Sequence, residues 1–303
     1  MSTPEKPLYL AGQTGCGKTA VALEIARQLR AVEIINADAY QVYRGLEILS
    51  AAPDAGEREQ CPHHLFGILD PNEECDAATF AKLARTTIAE VATRAIPLVV
   101  GGSGLYLKAI THGLAPTPKS DPVLREKLDQ RSLESLIEEY EALDADGAAQ
   151  TNLKNRRYVT RNLEICLLSG QPASRLKQEW EDNAPELDAV YLFRDREVIY
   201  DRINRRTHTM VDAGVIDEID ALADLSPTAA KAIGIREIKA HLAGELSREE
   251  MIEQIQQTTR RYAKRQASWF KRETAFRRIE ISNGESPAET AGRILIELGR
   301  TRP

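Results

Sequence analysis

Eight residues near the N-terminus, Gly12-Gln13-Thr14-Gly15-Cys16-Gly17-Lys18-Thr19, have the spacing of a phosphate-binding loop, G-x-x-x-x-G-K-[ST]. Glycines at these positions let successive backbone N–H groups turn toward one point, and a following helix adds the positive end of its dipole there. Lys18 can neutralise outer phosphate oxygens, and Thr19 can hold Mg²⁺. Such a loop grips a diphosphate or triphosphate. The setting agrees: Pro7-Leu8-Tyr9-Leu10-Ala11 reads as a short buried strand, and from Ala20 to Arg30 the residues Val21, Ile25 and Leu29 share one helical face. A chance glycine-rich turn, the rival explanation, has no need of a strand before it and a helix after it.

The elements that must position this loop repeat the same order. Glu33 to Asp38 reads as an apolar strand ending in a carboxylate, and Ile96 to Val100 as a third strand running into Gly101-Gly102-Ser103-Gly104 and an apolar helix from Leu105. Strand-turn-helix repetition predicts an α/β fold with a parallel, doubly wound sheet flanked by helices, whose ligands bind beyond the carboxyl ends of its strands. The loop, Asp38 and Ser103 are therefore expected to converge. From Thr117 to Pro185 the strand signal gives way to charged helical stretches, so an all-helical insertion domain is expected at 119–187, inside a phosphate-loop core made of 1–118 and 188–303. Strand character returns at Ala189 to Phe193, and a long helix is expected from about Ser247 to Arg272, before a short Ile279-Glu280-Ile281 strand and a last helix.

A chain of 303 residues can bury a large core. Its 42% apolar and 28% charged residues are those of an ordinary soluble protein, with no apolar N-terminal segment and no run long enough to cross a membrane. A cytoplasmic protein is expected, and nothing demands more than a monomer. Cys16, Cys61, Cys75 and Cys166 lack C-x-x-C pairing, which predicts reduced, mostly buried thiols. His63 and His64 are adjacent and so face different directions on a regular element, and no third ligand stands at a suitable spacing; a metal role is rejected.

The net charge of −6 taken alone argues against a polyanionic partner, but the charges are segregated. Glu134, Glu138, Glu139, Glu141, Asp144 and Asp146 crowd the stretch 132–153, which holds no Lys or Arg. Basic clusters follow at Lys154 to Arg161, at Arg194 to Arg206 and at Arg260 to Arg278, interleaved with Tyr158, Tyr262, Trp269 and Phe270. Solvated helix faces would explain any one cluster. Three together, with aromatic rings able to stack on unpaired bases, suggest a footprint for a nucleic-acid backbone.

The segment Glu33-Ile34-Ile35-Asn36-Ala37-Asp38-Ala39-Tyr40-Gln41-Val42-Tyr43-Arg44-Gly45 strongly resembles that of tRNA dimethylallyltransferases, also called tRNA isopentenyltransferases. Pro62-His63-His64-Leu65 with Leu69-Asp70-Pro71, Val99 to Tyr106, Arg161-Asn162-Leu163-Glu164, Ala232-Ile233-Gly234 with Glu237, and Thr259-Arg260 with Lys264-Arg265-Gln266 match in order, so the resemblance runs from Leu10 to about Trp269. It implies transfer of the dimethylallyl group of dimethylallyl diphosphate to N6 of the adenosine 3′ of the anticodon, with Mg²⁺ held through Thr19 and release of diphosphate. It implies Asp38 as general base, assisted by Thr14 and Lys18, with the alternative that Asp38 partners Mg²⁺ or Lys18. Arg202 or Arg206 would reach the diphosphate. Asp38, Ala39, Tyr40 and Gln41 would line the target-base pocket, while Ser103, Arg125 and the stretch Arg157-Tyr158-Val159-Thr160-Arg161 would contact the tRNA anticodon stem-loop. Turn-capping by Gln41 and a solvated Arg125 are the plainer alternatives. Departures from the commonest pattern are Gln13 for a frequent Pro, Gly15-Cys16 for a small pair, Ala39 for a usual Ser, Tyr158 for a frequent Arg, and Ile235 for a common Tyr. Rival functions are a small-molecule kinase, an adenylate isopentenyltransferase and an RNA-binding protein without group transfer.

Overall fold

The computed structural model describes residues 5–115, 117–181 and 186–300. Two compact units are present, Met1–Ile110 with Glu186–Pro303, and Thr111–Pro185. The junctions expected at 118/119 and 187/188 thus fall at 110/111 and 185/186.

Among its described residues the first unit is built on six strands, β1 (Leu8–Gly12), β2 (Val32–Asn36), β3 (His63–His64), β4 (Ile96–Gly101), β5 (Asp188–Phe193) and β6 (Arg277–Glu280). Their order is β3-β2-β4-β1-β5-β6, and every neighbouring pair is parallel. A parallel sheet covered on both faces needs apolar residues on both, and the period-two alternation of strands divides them. Tyr9, Ala11, Ile35, Val99 and Tyr191 enter one core, with Phe80 and Ala84 of the helix Ala77–Val91 and Met251 and Ile255 of the helix Arg248–Phe270. Leu8, Leu10, Ile34, Leu98, Val190 and Leu192 enter the other, with Val21 and Ile25 of the helix Lys18–Gln28 and Ile294 of the helix Pro287–Glu297.

Two local features place the site. The strand expected to run to Asp38 stops at Asn36, because the Asn36 side chain takes over the backbone: its Oδ1 accepts the Asp38 N–H at 2.7 Å, and its amide donates to the carbonyls of Asp38 (3.1 Å) and Leu65 (2.9 Å). This Asx turn lifts Asp38 off the sheet edge. Beside it, Gly101 lets β4 approach so closely that a Cβ there would lie 2.1 Å from the Ala37 carbonyl oxygen. Strand β3 escaped the sequence reading because two residues carry no periodicity.

The second unit is helical over its described residues: Pro122–Asp129, Leu133–Leu143, Ala145–Gln150, Arg156–Ser169 and Ala173–Glu181. Asp121, Ser132 and Asp144 cap three of these helices by accepting first-turn N–H groups, so Asp144, one of the acidic residues at 132–153, has a structural use. Its core gathers Leu136, Tyr140, Val159, Leu163 and Ile165.

Glu164 lies within that core, with no exposed surface, and accepts from Ser120 Oγ (2.6 Å), the Asp121 N–H (3.0 Å), Arg161 Nη1 (2.7 Å) and Arg125 Nη2. Burial pushes its carboxyl up, but the hydrogen bonds from Ser120, Arg161, Arg125 and the Asp121 amide outweigh it and hold the group at about 2. A carboxyl depressed by folding stabilises above its unfolded value of about 4.3, and that stability is lost as pH falls toward 2. Glu164→Gln is therefore expected to destabilise the helical unit by about 3 kcal/mol at neutral pH, since two guanidinium groups lose their countercharge. Unfolding followed at pH 7 and pH 3 checks this: the wild-type advantage should shrink at pH 3, and equal stability at pH 7 would rule out the ion cluster as a stabilising element.

Candidate active site

At the carboxyl edge of the sheet, the turns after β1, β2 and β4 border one cavity of about 420 Å³. The phosphate loop contributes Thr14, Gly15, Gly17, Lys18 and Thr19. Gly15 (φ +80°) and Gly17 (φ +100°) adopt the left-handed conformation that only glycine enters without strain, and Gly17 then caps the helix Lys18–Gln28. Gly12, Gln13 and Cys16 are buried beneath the loop and do not line the cavity. Lys18 Nζ lies across the loop, donating to the carbonyls of Gly12 and Gln13 at 3.0 Å each. The Thr19 hydroxyl makes no hydrogen bond among the described residues and shares the cavity wall with Asp38. No group of three His, Cys, Asp or Glu side chains that could hold a metal occurs among the described residues. A Mg²⁺ bound here would rest on Thr19, water and substrate phosphate, the sparse protein set that this ion commonly takes.

Asp38 is anchored by one oxygen only. Its Oδ1 accepts the Tyr40 N–H at 3.0 Å, while Oδ2 has no donor among the described residues. The turn is pinned from below by Ser103, whose buried Oγ accepts the Ala39 N–H at 3.3 Å and lies 3.4 Å from the Tyr262 hydroxyl. Around the carboxylate stand Tyr40, Tyr262 and Arg206. Burial, reinforced by the Asp38 charge, pushes the Tyr40 phenol up to about 12 and raises that of Tyr262 as well, so both stay protonated. Burial lowers Arg206, and Asp38 partly offsets this.

Both candidate arginines border the cavity, in different states. Arg202 is exposed and spends its Nε on the Gly15 carbonyl at 2.6 Å, so it braces the loop. Arg206 is half-buried and has no hydrogen bond among the described residues, leaving its five N–H groups for an anion. Arg194 adds a second brace, its Nε donating to the Cys16 carbonyl at 3.0 Å.

The opposite wall is apolar, with Leu49, Met210, Ala232, Ile233 and Ile255. It is tied down from two sides. Glu218 accepts the N–H groups of Ile48 (2.7 Å) and Leu49 (2.8 Å), and Gln41 Nε2 donates to the carbonyls of Ser50 (3.1 Å) and Ala51 (2.9 Å). Gln41 thus caps a turn while still lining the cavity, with its Oε1 unclaimed by the described residues.

Of the expected base-pocket residues, Asp38, Tyr40 and Gln41 line the cavity, whereas Ala39 and Ser103 lie behind it as supports. In the helical unit the expected contact stretch is not one surface. Arg157 and Tyr158 are exposed, but Val159 packs in the core and Thr160 is 1% exposed, because a helix turns successive side chains through about 100°. Arg125 and Arg161 are drawn into the Glu164 cluster, so Arg125 is not simply a solvated helix arginine.

Sequence reasoning gave no role to Gln266 or Glu218, and read Tyr262 only as a ring able to stack on unpaired bases. Gln266 stood inside a quoted motif, but only the fold brings helix Arg248–Phe270 against the loop. The other face of that helix carries Arg261, Lys264 and Arg265, with Lys271 and Arg272 just beyond its end; all five are exposed and without an ion pair among the described residues. The four cysteines are free, three of them buried. His64 Nε2 bonds Glu33 at 2.7 Å and His63 Nδ1 bonds the Cys61 carbonyl at 2.8 Å. No described helix is long and apolar enough to cross a membrane.

Comparison with known proteins adds three observations. The family model described as IPP transferase matches residues 41–273. A tRNA dimethylallyltransferase of Akkermansia muciniphila is 42% identical over 293 residues, covering 96% of this chain and 99% of the relative, and one of Syntrophobacter fumaroxidans is 39% identical over 91% of this chain and 84% of the relative. The crystal structure of the full-length tRNA isopentenylpyrophosphate transferase of Bacillus halodurans superposes with a TM-score of 0.70 at 32% identity, covering 98% of both chains. A eukaryotic dimethylallyltransferase acting on tRNA shares the fold, with a TM-score of 0.80 at 24% identity over 99% of this chain and 80% of that one. A shared phosphate loop alone would align a few dozen residues, not the whole core with its insertion: the chain belongs to the IPP transferase family and is a prenyl-group transferase.

Proposed function

We propose that this enzyme transfers the dimethylallyl group of dimethylallyl diphosphate to N6 of the adenosine 3′-adjacent to the anticodon of tRNA, as a cytoplasmic monomer using Mg²⁺. The observation that carries the reading is one cavity holding a phosphate loop, a carboxylate with an unclaimed oxygen, and an apolar wall. The diphosphate fits the loop amides, Lys18 and Arg206, and the five-carbon tail fits the wall of Leu49, Met210 and Ile255.

The adenine amine is a poor nucleophile, because its lone pair is delocalised into the ring. As N6 attacks the allylic carbon, the C–O bond breaks and its electron pair leaves with the diphosphate. Charge grows on the leaving oxygen, so loop N–H groups, Lys18 and Arg206 stabilise the transition state more than the bound substrate. Thr19 would hold a Mg²⁺ together with the substrate phosphate, and that ion would supply further positive charge there. The N6 proton passes to Asp38 Oδ2, the oxygen that no described donor claims. Thr14 lines the cavity beside the reacting groups.

An adenine in an anticodon loop must be unstacked to reach this depth, at a cost of a few kcal/mol that backbone contacts offset. The unpaired cations Arg261, Lys264, Arg265 and Lys271 suit that use, together with the exposed Arg157 and Tyr158 of the helical unit. Lys264→Ala is expected to weaken stem-loop binding alike for all loop sequences and to lower the salt slope by about 0.7 to 1, the contribution of one phosphate contact. Titrations at several salt concentrations check it, and an unchanged slope would remove Lys264 from the interface.

The deciding experiment mixes the protein with Mg²⁺, dimethylallyl diphosphate and an anticodon stem-loop, then weighs the RNA, with adenosine monophosphate and ATP controls. One added dimethylallyl group on the stem-loop alone is the expected result. Modification of the free nucleotide would make the acceptor a small molecule, and ATP turnover without transfer would make the loop that of a kinase.

A further inference from the structure

Gln266, on the helix Arg248–Phe270, is 5% exposed, and its side-chain amide makes two hydrogen bonds. Oε1 accepts the Thr14 N–H at 2.8 Å, and Nε2 donates to the Gly102 carbonyl at 2.8 Å. One planar group thereby bridges the loop after β1 and the turn after β4. The contact is close: a Cβ on Gly102 would lie 2.4 Å from Gln266 Nε2 and 3.5 Å from Lys18 Nζ.

The Thr14 N–H belongs to the same peptide plane as the Gln13 carbonyl, and in a trans peptide these two groups point in opposite directions. That carbonyl accepts Lys18 Nζ at 3.0 Å. Holding the N–H toward Gln266 therefore turns the carbonyl toward Lys18. A glycine-rich loop has many competing conformations, and a cradle that must be arranged before its ligand arrives needs such a lock. The same helix supplies a further tie, since the Ala263 carbonyl accepts Gln13 Nε2 at 3.3 Å.

We propose that Gln266 is a positioning residue of the diphosphate site: it fixes the Gln13–Thr14 peptide plane, and through that plane the place of the Lys18 ammonium. The proposal rests on reading the loop as the holder of the donor diphosphate.

The test titrates inorganic diphosphate with Mg²⁺ into the whole protein by calorimetry, for the wild type and for Gln266→Met, which keeps the length but neither hydrogen bond. The expected result is a diphosphate Kd weakened about tenfold, as for one buried hydrogen bond lost, with stem-loop Kd changed by less than about twofold. Unchanged diphosphate affinity overturns the proposal. So does an equal weakening of diphosphate and RNA, which is what a merely structural role would give. Should Gln266→Met not fold, Gln266→Asn keeps a polar amide in the site, one methylene too short to span both partners, and is expected to give the same split. A wild type that binds diphosphate but modifies no RNA would overturn the proposed function and leave the Gln266 comparison intact.

Discussion

Replacing Asp38 by Ala is expected to lower turnover by about 10²-fold or more, the range for removing a general base, with diphosphate affinity unchanged. The expectation follows from its geometry. One oxygen is spent on the Tyr40 amide, the other faces the cavity, and the Asn36 and Ser103 contacts hold the turn whether or not the carboxylate is present. Asp38→Asn should lose nearly as much, because an amide keeps the shape but accepts no proton. The measurement is single-turnover transfer to the stem-loop beside calorimetry with diphosphate. If turnover and diphosphate affinity fall together, Asp38 serves Mg²⁺ or Lys18 rather than the amine. If neither falls, the assignment of a base is wrong.

Gly101→Ala should act on the same carboxylate without touching it. A methyl group at this position would lie 2.1 Å from the Ala37 carbonyl oxygen and 2.8 Å from the Ala37 Cβ, well inside contact distance. The obstacle is the backbone of Ala37, just past the end of β2 and hydrogen-bonded to the Val100 carbonyl of β4, so no side chain can swing away. Expected is a loss of about 3 kcal/mol or more of stability, at the upper end for overpacking. In whatever fraction folds, the Ala37–Asp38 turn is displaced, and a shift near 1 Å at a reacting group costs about 10² in rate. Chemical denaturation and transfer assays on the same sample check both parts. Wild-type stability would show that the sheet edge yields more easily than this packing implies.

The neighbouring Ser103 was legible by its place after a strand, while its partners were not. Its position after β4 brought it to the carboxyl edge as expected, where its hydroxyl accepts the Ala39 N–H and lies 3.4 Å from the Tyr262 hydroxyl. Arg125 and Arg161 are similar: basic residues beside a helical stretch read as a surface, and a buried Glu164 gathers both. Charge is visible in a sequence, while the partner that claims it is not.

Some of this protein was settled by local rules alone. The phosphate loop needs glycines at two left-handed positions and a helix start within eight residues, so it is written in consecutive letters, and so are the apolar strands that carry it. The parallel sheet and the helical character of the insertion follow from period and order. Strand β3, two residues long, and the end of β2 at Asn36 were beyond reach, because hydrogen bonds to residues outside the strand decided them. The cavity was decided by tertiary structure: Gln266 meets Thr14 across 252 positions, and Glu218 meets Ile48 across 170. Such contacts leave no periodic trace, since each depends on where a whole helix packs and not on its neighbours in the chain.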